Sequence, residues 1–146
     1  GSFSLMVFGW TQIVMDIQPL IAMITGEGHV HGFSHTFVGA TLIAMLSAIS
    51  GLYLTRLAFR LFLPPNTFSL SWPVTILSAF SGSFTHVLLD SIMHFDVQPF
   101  YPITLNNIFL HSLSVEALHK FCLYTGLIGG GIYFYLQWRT QRTKQN

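Results

Sequence analysis

The chain has 146 residues, of which 51% are hydrophobic and only 8% charged, and its formal net charge is +1. A soluble domain carries about 25% charged residues, so the length allows one domain and the composition makes lipid its solvent. The near-neutral charge and the lack of any Lys/Arg run exclude a nucleic-acid partner, and a single cysteine, Cys122, excludes an internal disulfide.

A helix crossing a bilayer needs about 20 mostly apolar residues, and four segments meet that length. The first runs from about Phe3 to Ile24 and is interrupted only by Asp16. No Lys or Arg precedes Arg56, so this opening stretch lacks the basic flank of a cleavable signal peptide. A short His-rich turn, Gly26 to Gly32, leads into the second span, from about Phe33 to Phe59. Leu63-Pro64-Pro65-Asn66-Thr67 reads as a breaker. The third span runs from about Ser71 to Phe95, with Pro73 in its first turn, where proline is tolerated. Asp96 to Ser114 is a longer connection along the membrane surface, and the fourth span covers about Val115 to Trp138. The expected fold is therefore all-α, a polytopic bundle of four transmembrane helices. Ala40, Ala44 and Ala48, Ser78 and Gly82, and Gly126 and Gly130 form stripes of small residues that let helices approach closely in lipid.

Arg56 and Arg60 end the second span, and Arg139, Arg142 and Lys144 follow the fourth. The positive-inside rule puts these on the cytoplasmic side, with both termini, and leaves Lys120 as the exception. On that topology all seven histidines (His29, His31, His35, His86, His94, His111, His119) fall in the outward half of the protein. So do all five acids: Asp16, Glu27, Asp90, Asp96 and Glu116. At 1.5 Å of rise per residue, Asp16 lies roughly 12–15 Å below the outer end of its helix, and His86 lies at a similar depth. Groups on three spans could therefore meet.

Their spacing suits metal ligation. His31 and His35 stand four apart at the opening of the second span, so both imidazoles can reach one ion or two adjacent ions. His86, Asp90 and His94 recur every four residues on the third span and share a face. A carboxylate as deep as Asp90 or Asp16 needs a cation, a proton or a donor. Glu116-x-x-His119 begins the fourth span with a spacing found in carboxylate-bridged metal sites of helical bundles.

The segment His31-Gly32-Phe33-Ser34-His35-Thr36 resembles the glycine-containing histidine motif of the YdjM-like family, small microbial inner-membrane proteins described as membrane-bound metal-dependent hydrolases. Thr85-His86-Val87-Leu88-Leu89-Asp90-Ser91 resembles that family's His-x-x-x-Asp motif, and His94 and Pro102 are similar to its tail. Asp16 matches an aspartate preceding the first motif, but Gln18 stands where the family's Asp-x-Asp/Glu pattern carries a second acid. The resemblance covers about Ile13 to Pro102. It implies a metal-dependent hydrolase in a prokaryotic inner membrane.

The expected site is a divalent-metal centre held by Asp16, His31, His35, His86 and Asp90. Nitrogen-plus-carboxylate ligation suits zinc, with manganese or iron as alternatives. In a hydrolase, Glu116 or Asp96 would serve as general base, and His94 or His119 would protonate the leaving group. The depth of the site points to membrane lipids as its surroundings and to a lipid or lipid-linked ester or phosphoester as substrate. Two other classes stay open: a metal-ion or proton transporter, and a non-enzymatic membrane subunit whose polar or metal cluster is structural.

Overall fold

The computed structural model describes residues 3–62 and 70–145, the side chains of 143–145 aside. The breaker expected at Leu63-Pro64-Pro65-Asn66-Thr67 lies outside the described residues. The described chain is all-helical, with five α-helices: α1 (Leu5–Met15), α2 (Ile17–Thr25), α3 (Phe37–Phe62), α4 (Trp72–Met93) and α5 (Val115–Gln145). A single 3-10 turn, Phe33–His35, precedes α3.

The chain divides into two compact units, residues 1–110 and residues 111–146. The first holds α1 to α4, and within it α1, α3 and α4 pack on one another. Their contact surfaces are built from small residues. Ala40, Ala44, Ala48 and Ala79 are buried, as are Ser47, Ser78 and Ser83. Large side chains such as Leu42, Met45, Leu46 and Ile49 turn outward instead. Such an inverted distribution suits helices whose surroundings are lipid, where association depends on close packing rather than on expelling water. A Cβ on Gly82 would stand 3.2 Å from the Phe8 carbonyl oxygen and from Thr11 Cβ, so glycine lets α4 lie directly against α1. Hydrogen bonds fix the register: the Ser4 backbone N–H donates to Ser78 Oγ at 2.8 Å, and Trp10 Nε1 to Ser50 Oγ at 2.9 Å.

Among the described residues, three helical segments are long and apolar enough to cross a membrane: Leu5–Thr25, Phe37–Phe62 and Trp72–Met93. They match the first three expected spans, with two local differences. The first is not one continuous helix. It breaks at Asp16, because Pro19 has no N–H to donate to the Met15 carbonyl, and the chain restarts as α2 with the proline in its first turn. The second begins at Phe37 rather than Phe33. Thr36 is extended (φ −108°, ψ 155°), and its Oγ1 accepts from the Gly39 N–H at 2.9 Å, an N-cap that sets the start of α3.

The second unit consists of residues 111–146, with α5 as its helix. At 31 residues α5 is long enough to span but is not among the three segments that also have the required apolarity. Gly126, Gly129, Gly130 and Gly131 and the charged residues near both ends dilute its hydropathy.

Candidate metal centre

Two backbone irregularities and one regular helix assemble the site. The break between α1 and α2 presents Asp16. After α2, Gly26 adopts a left-handed conformation (φ 71°) and closes the helix through its N–H to the Ala22 carbonyl. The chain then turns back so that the 3-10 turn carries His35 into the bundle, 1% exposed. Helix α4 supplies His86 and Asp90 one turn apart on its inner face. Its end is set at His94, whose N–H donates to the Asp90 carbonyl at 2.8 Å.

His31 and His35 thus do not share a helix face, because both precede α3. They meet through the turn instead, with ring centroids 5.0 Å apart. Gln18 braces that turn: its Oε1 accepts from the Ser34 N–H at 2.9 Å. Residues 94–102 close the other side, and the Pro99 carbonyl accepts from the Phe37 N–H at 2.8 Å.

The groups form an unbroken row. Asp16 Oδ1 lies 3.3 Å from His86 Nε2, which lies 3.2 Å from Asp90 Oδ2, which in turn lies 3.1 Å from His35 Nε2. The His35 ring sits edge-on to both His86 (5.2 Å) and His31 (5.0 Å), and His94 stacks on His31 at 4.4 Å. The Asp96 carboxylate receives His31 Nδ1–H through both oxygens, at 2.9 and 3.0 Å. Burial would raise the Asp96 carboxyl, but the hydrogen bond and charge of His31 outweigh it and hold the group below the usual carboxylate range.

The inner and outer parts of this row differ in kind. The shorter His31–Asp96 distance, 2.9 Å, is that of a charge-assisted hydrogen bond. The three inner distances are longer, and His35 Nε2 and His86 Nε2 are buried without a hydrogen-bond partner. Donors about 2.0–2.1 Å from a tetrahedral zinc stand roughly 3.3–3.4 Å from one another, close to the 3.1–3.3 Å seen here. Asp16, His35 and His86 form one group able to hold an ion. His31, His35 and Asp90 form a second, and His31, His94 and Asp96 a third. The first and third share no residue. The second uses His35 from one and His31 from the other.

A cavity of about 290 Å³ lies beside this outer end, lined by His29, His31, Thr36, Asp96, Gln98 and Tyr101 among others. His29 therefore lines the approach to the row. Glu116 and His119 belong to the second unit. There Glu116 pairs with Lys120, one turn along α5, and His119 Nδ1–H donates to the Val115 carbonyl at 2.8 Å.

Gln12 and Gln18 were not singled out by their spacing, because an uncharged amide in an apolar helix carries no ligand signature. Gln12 stands one turn before Asp16 on α1, and Gln18 two residues after it. Comparison with family models, with curated proteins and with solved structures finds no match to this chain.

Proposed function

We propose that the chain is a four-helix membrane protein, with α5 as its fourth span, that works as a metal-dependent hydrolase. Its metal centre, in this reading, is held by Asp16, His35, His86 and Asp90 with His31 beside them. Two imidazole nitrogens and two carboxylates suit zinc, with manganese or iron as alternatives. The observation that carries the reading is the pair of buried, unpartnered Nε2 atoms of His35 and His86, both about a ligand–ligand distance from Asp90 Oδ2. Such atoms are costly to bury facing a carboxylate unless a cation or a proton lies between them, and the ligand-like spacing of the three groups favours the cation.

A divalent ion there would lower the pKa of a bound water to about 7 and polarise the scissile group. The chain's own residues do the rest. Asp96 acts in the general-base role through His31, holding its Nδ1–H so that its Nε2 can take the proton, and His94, stacked on the same ring, is placed to return one to a leaving group. Glu116 and His119 remain the alternative acid–base pair. The cavity beside His31 and Asp96 has room for a small polar group, which supports a lipid headgroup or lipid-linked ester or phosphoester as substrate. The basic residues at the ends of α3 and α5 support an inner-membrane orientation with both termini cytoplasmic and the site facing outward.

Elemental analysis of the purified protein beside a His86→Ala/Asp90→Ala variant tests the centre. The expected result is near-stoichiometric zinc, manganese or iron in the wild type and its loss in the variant. A wild type that stays metal-free after reconstitution overturns the reading. Release of product from a panel of lipids and lipid-linked esters by the metal-replete protein, absent from the variant, tests the hydrolase assignment.

The continuous row from Asp96 to Asp16 favours one rival, passage of cations. Against it, Leu5–Met15, Phe37–Thr55 and Trp72–Thr85 contain no Asp, Glu, His, Lys or Arg, so the row has no continuation toward the other face. Metal flux into vesicles by the purified protein would reverse that preference.

A further inference from the structure

Gln12 lies on α1, one turn before Asp16, and bridges to α4 through both ends of its amide. Its Nε2 donates to the Gly82 carbonyl at 3.1 Å, and its Oε1 lies 2.6 Å from His86 Nδ1. A backbone carbonyl can only accept, so the nitrogen end of the amide must face Gly82 and the oxygen end must face His86. An amide oxygen also can only accept. His86 Nδ1 must therefore carry the hydrogen in this contact, and a neutral imidazole with Nδ1 protonated has its lone pair on Nε2. That Nε2 is the buried atom without a hydrogen-bond partner, 3.3 Å from Asp16 Oδ1 and 3.2 Å from Asp90 Oδ2.

We infer that Gln12 is a positioning residue that holds His86 in the Nδ1–H tautomer and aims an unprotonated Nε2 at Asp16 and Asp90. The Gly82 carbonyl fixes the amide, the amide fixes the imidazole, and the imidazole offers its free nitrogen where the two carboxylates converge. Metal-binding histidines are commonly set in this way, by an acceptor on the ring nitrogen that does not ligate. Here the acceptor is a neutral amide from the neighbouring helix. A carboxylate in its place would add a further negative charge at the depth of Asp16. Gly82 contributes through its missing Cβ, which would stand 3.4 Å from Gln12 Nε2 and 3.2 Å from the α1 backbone at Phe8. The α1–α4 contact and the tautomer of His86 are thus one structural feature. The consequence for ion affinity rests on the metal-centre reading above; the tautomer itself does not.

The test is nitrogen NMR of the full-length protein in detergent, labelled on histidine nitrogen, stripped with chelator and held at pH 8. His86 is assigned by the signals lost in a His86→Gln variant. The wild type is expected to show a protonated Nδ1 and an unprotonated Nε2 at His86. Gln12→Leu, which removes the acceptor, should shift His86 toward the Nε2–H form and leave the signals of His29 unchanged. Gln12→Glu, which keeps an acceptor oxygen, should retain the Nδ1–H form, and it decides the matter if the leucine variant does not fold. Zinc affinity by chelator competition should fall about 10–100-fold in Gln12→Leu. An Nε2–H tautomer in the wild type, or an unchanged tautomer in Gln12→Leu, overturns the inference. If the tautomer responds as stated but neither protein binds zinc, the role of Gln12 stands and the metal-centre reading falls.

Discussion

Asp90 Oδ2 is shared between two imidazoles, 3.1 Å from His35 Nε2 and 3.2 Å from His86 Nε2, whereas Asp96 is engaged with His31 alone. That difference ranks the two acids. Asp90→Asn puts a neutral amide between two ligand nitrogens and should cut zinc affinity by more than the roughly 10–100-fold that follows loss of an outer partner. Asp96→Asn, which touches the centre only through His31, should stay within that range. Chelator competition on the two variants checks the order, and equal losses would mean that Asp96 itself ligates. The charged members of the site were legible in the sequence for a physical reason: an ionisable group in an apolar span is costly, so Asp16, His86 and Asp90 stood out at once. The residues that orient them did not. Gln12 and Ser34 are neutral and can be satisfied in many ways, and only the fold shows that Gln12 reaches the Gly82 carbonyl or that Ser34 Oγ lies 2.9 Å from His35 Nδ1.

At the scale of elements, apolar length located the three candidate spans of the first unit, but their ends and interruptions follow from local chemistry. Pro19 explains the break that presents Asp16, and Thr36 explains why α3 begins after the histidine turn rather than within it. The helical i, i+4 reading of His31 and His35 was therefore wrong in geometry, although the two rings do meet. Gly39 makes the turn possible, because a Cβ there would collide with the Phe33 carbonyl oxygen. Gly39→Ala should accordingly push the 3-10 turn away from α3, at a cost of about 1–3 kcal/mol for overpacking. Both thermal stability in detergent and metal content should fall. Gly9→Ala is the matched control on α1, where a Cβ meets nothing within 4 Å, and it should lower neither. If Gly39→Ala kept full metal content, the turn would not be what positions His35.

For the whole molecule, the division at residue 110 separates two kinds of candidate. Asp16, His31, His35, His86, Asp90, His94 and Asp96, with Gln12 and Gln18 behind them, all belong to residues 1–110, while Glu116 and His119 belong to α5. The sequence could not draw that boundary, because Glu-x-x-His at the start of a span looks as much like a ligand pair as His-x-x-x-Asp does. In the structure Glu116 pairs with Lys120, and at an exposed site such a pair contributes little to stability. Metal binding should therefore be independent of α5. A chain ending at Leu110, extracted from membranes and reconstituted with zinc, is expected to hold as much ion per chain as the full protein, because every group that ligates or orients a ligand is retained. A Glu116→Gln/His119→Asn variant of the full chain should likewise keep its ion. If either protein loses the metal, the centre draws on α5, and the first unit is not a complete site. If both keep it while the double variant loses hydrolysis of a lipid substrate, α5 supplies the acid–base pair. Retained hydrolysis would leave proton transfer to Asp96, His31 and His94.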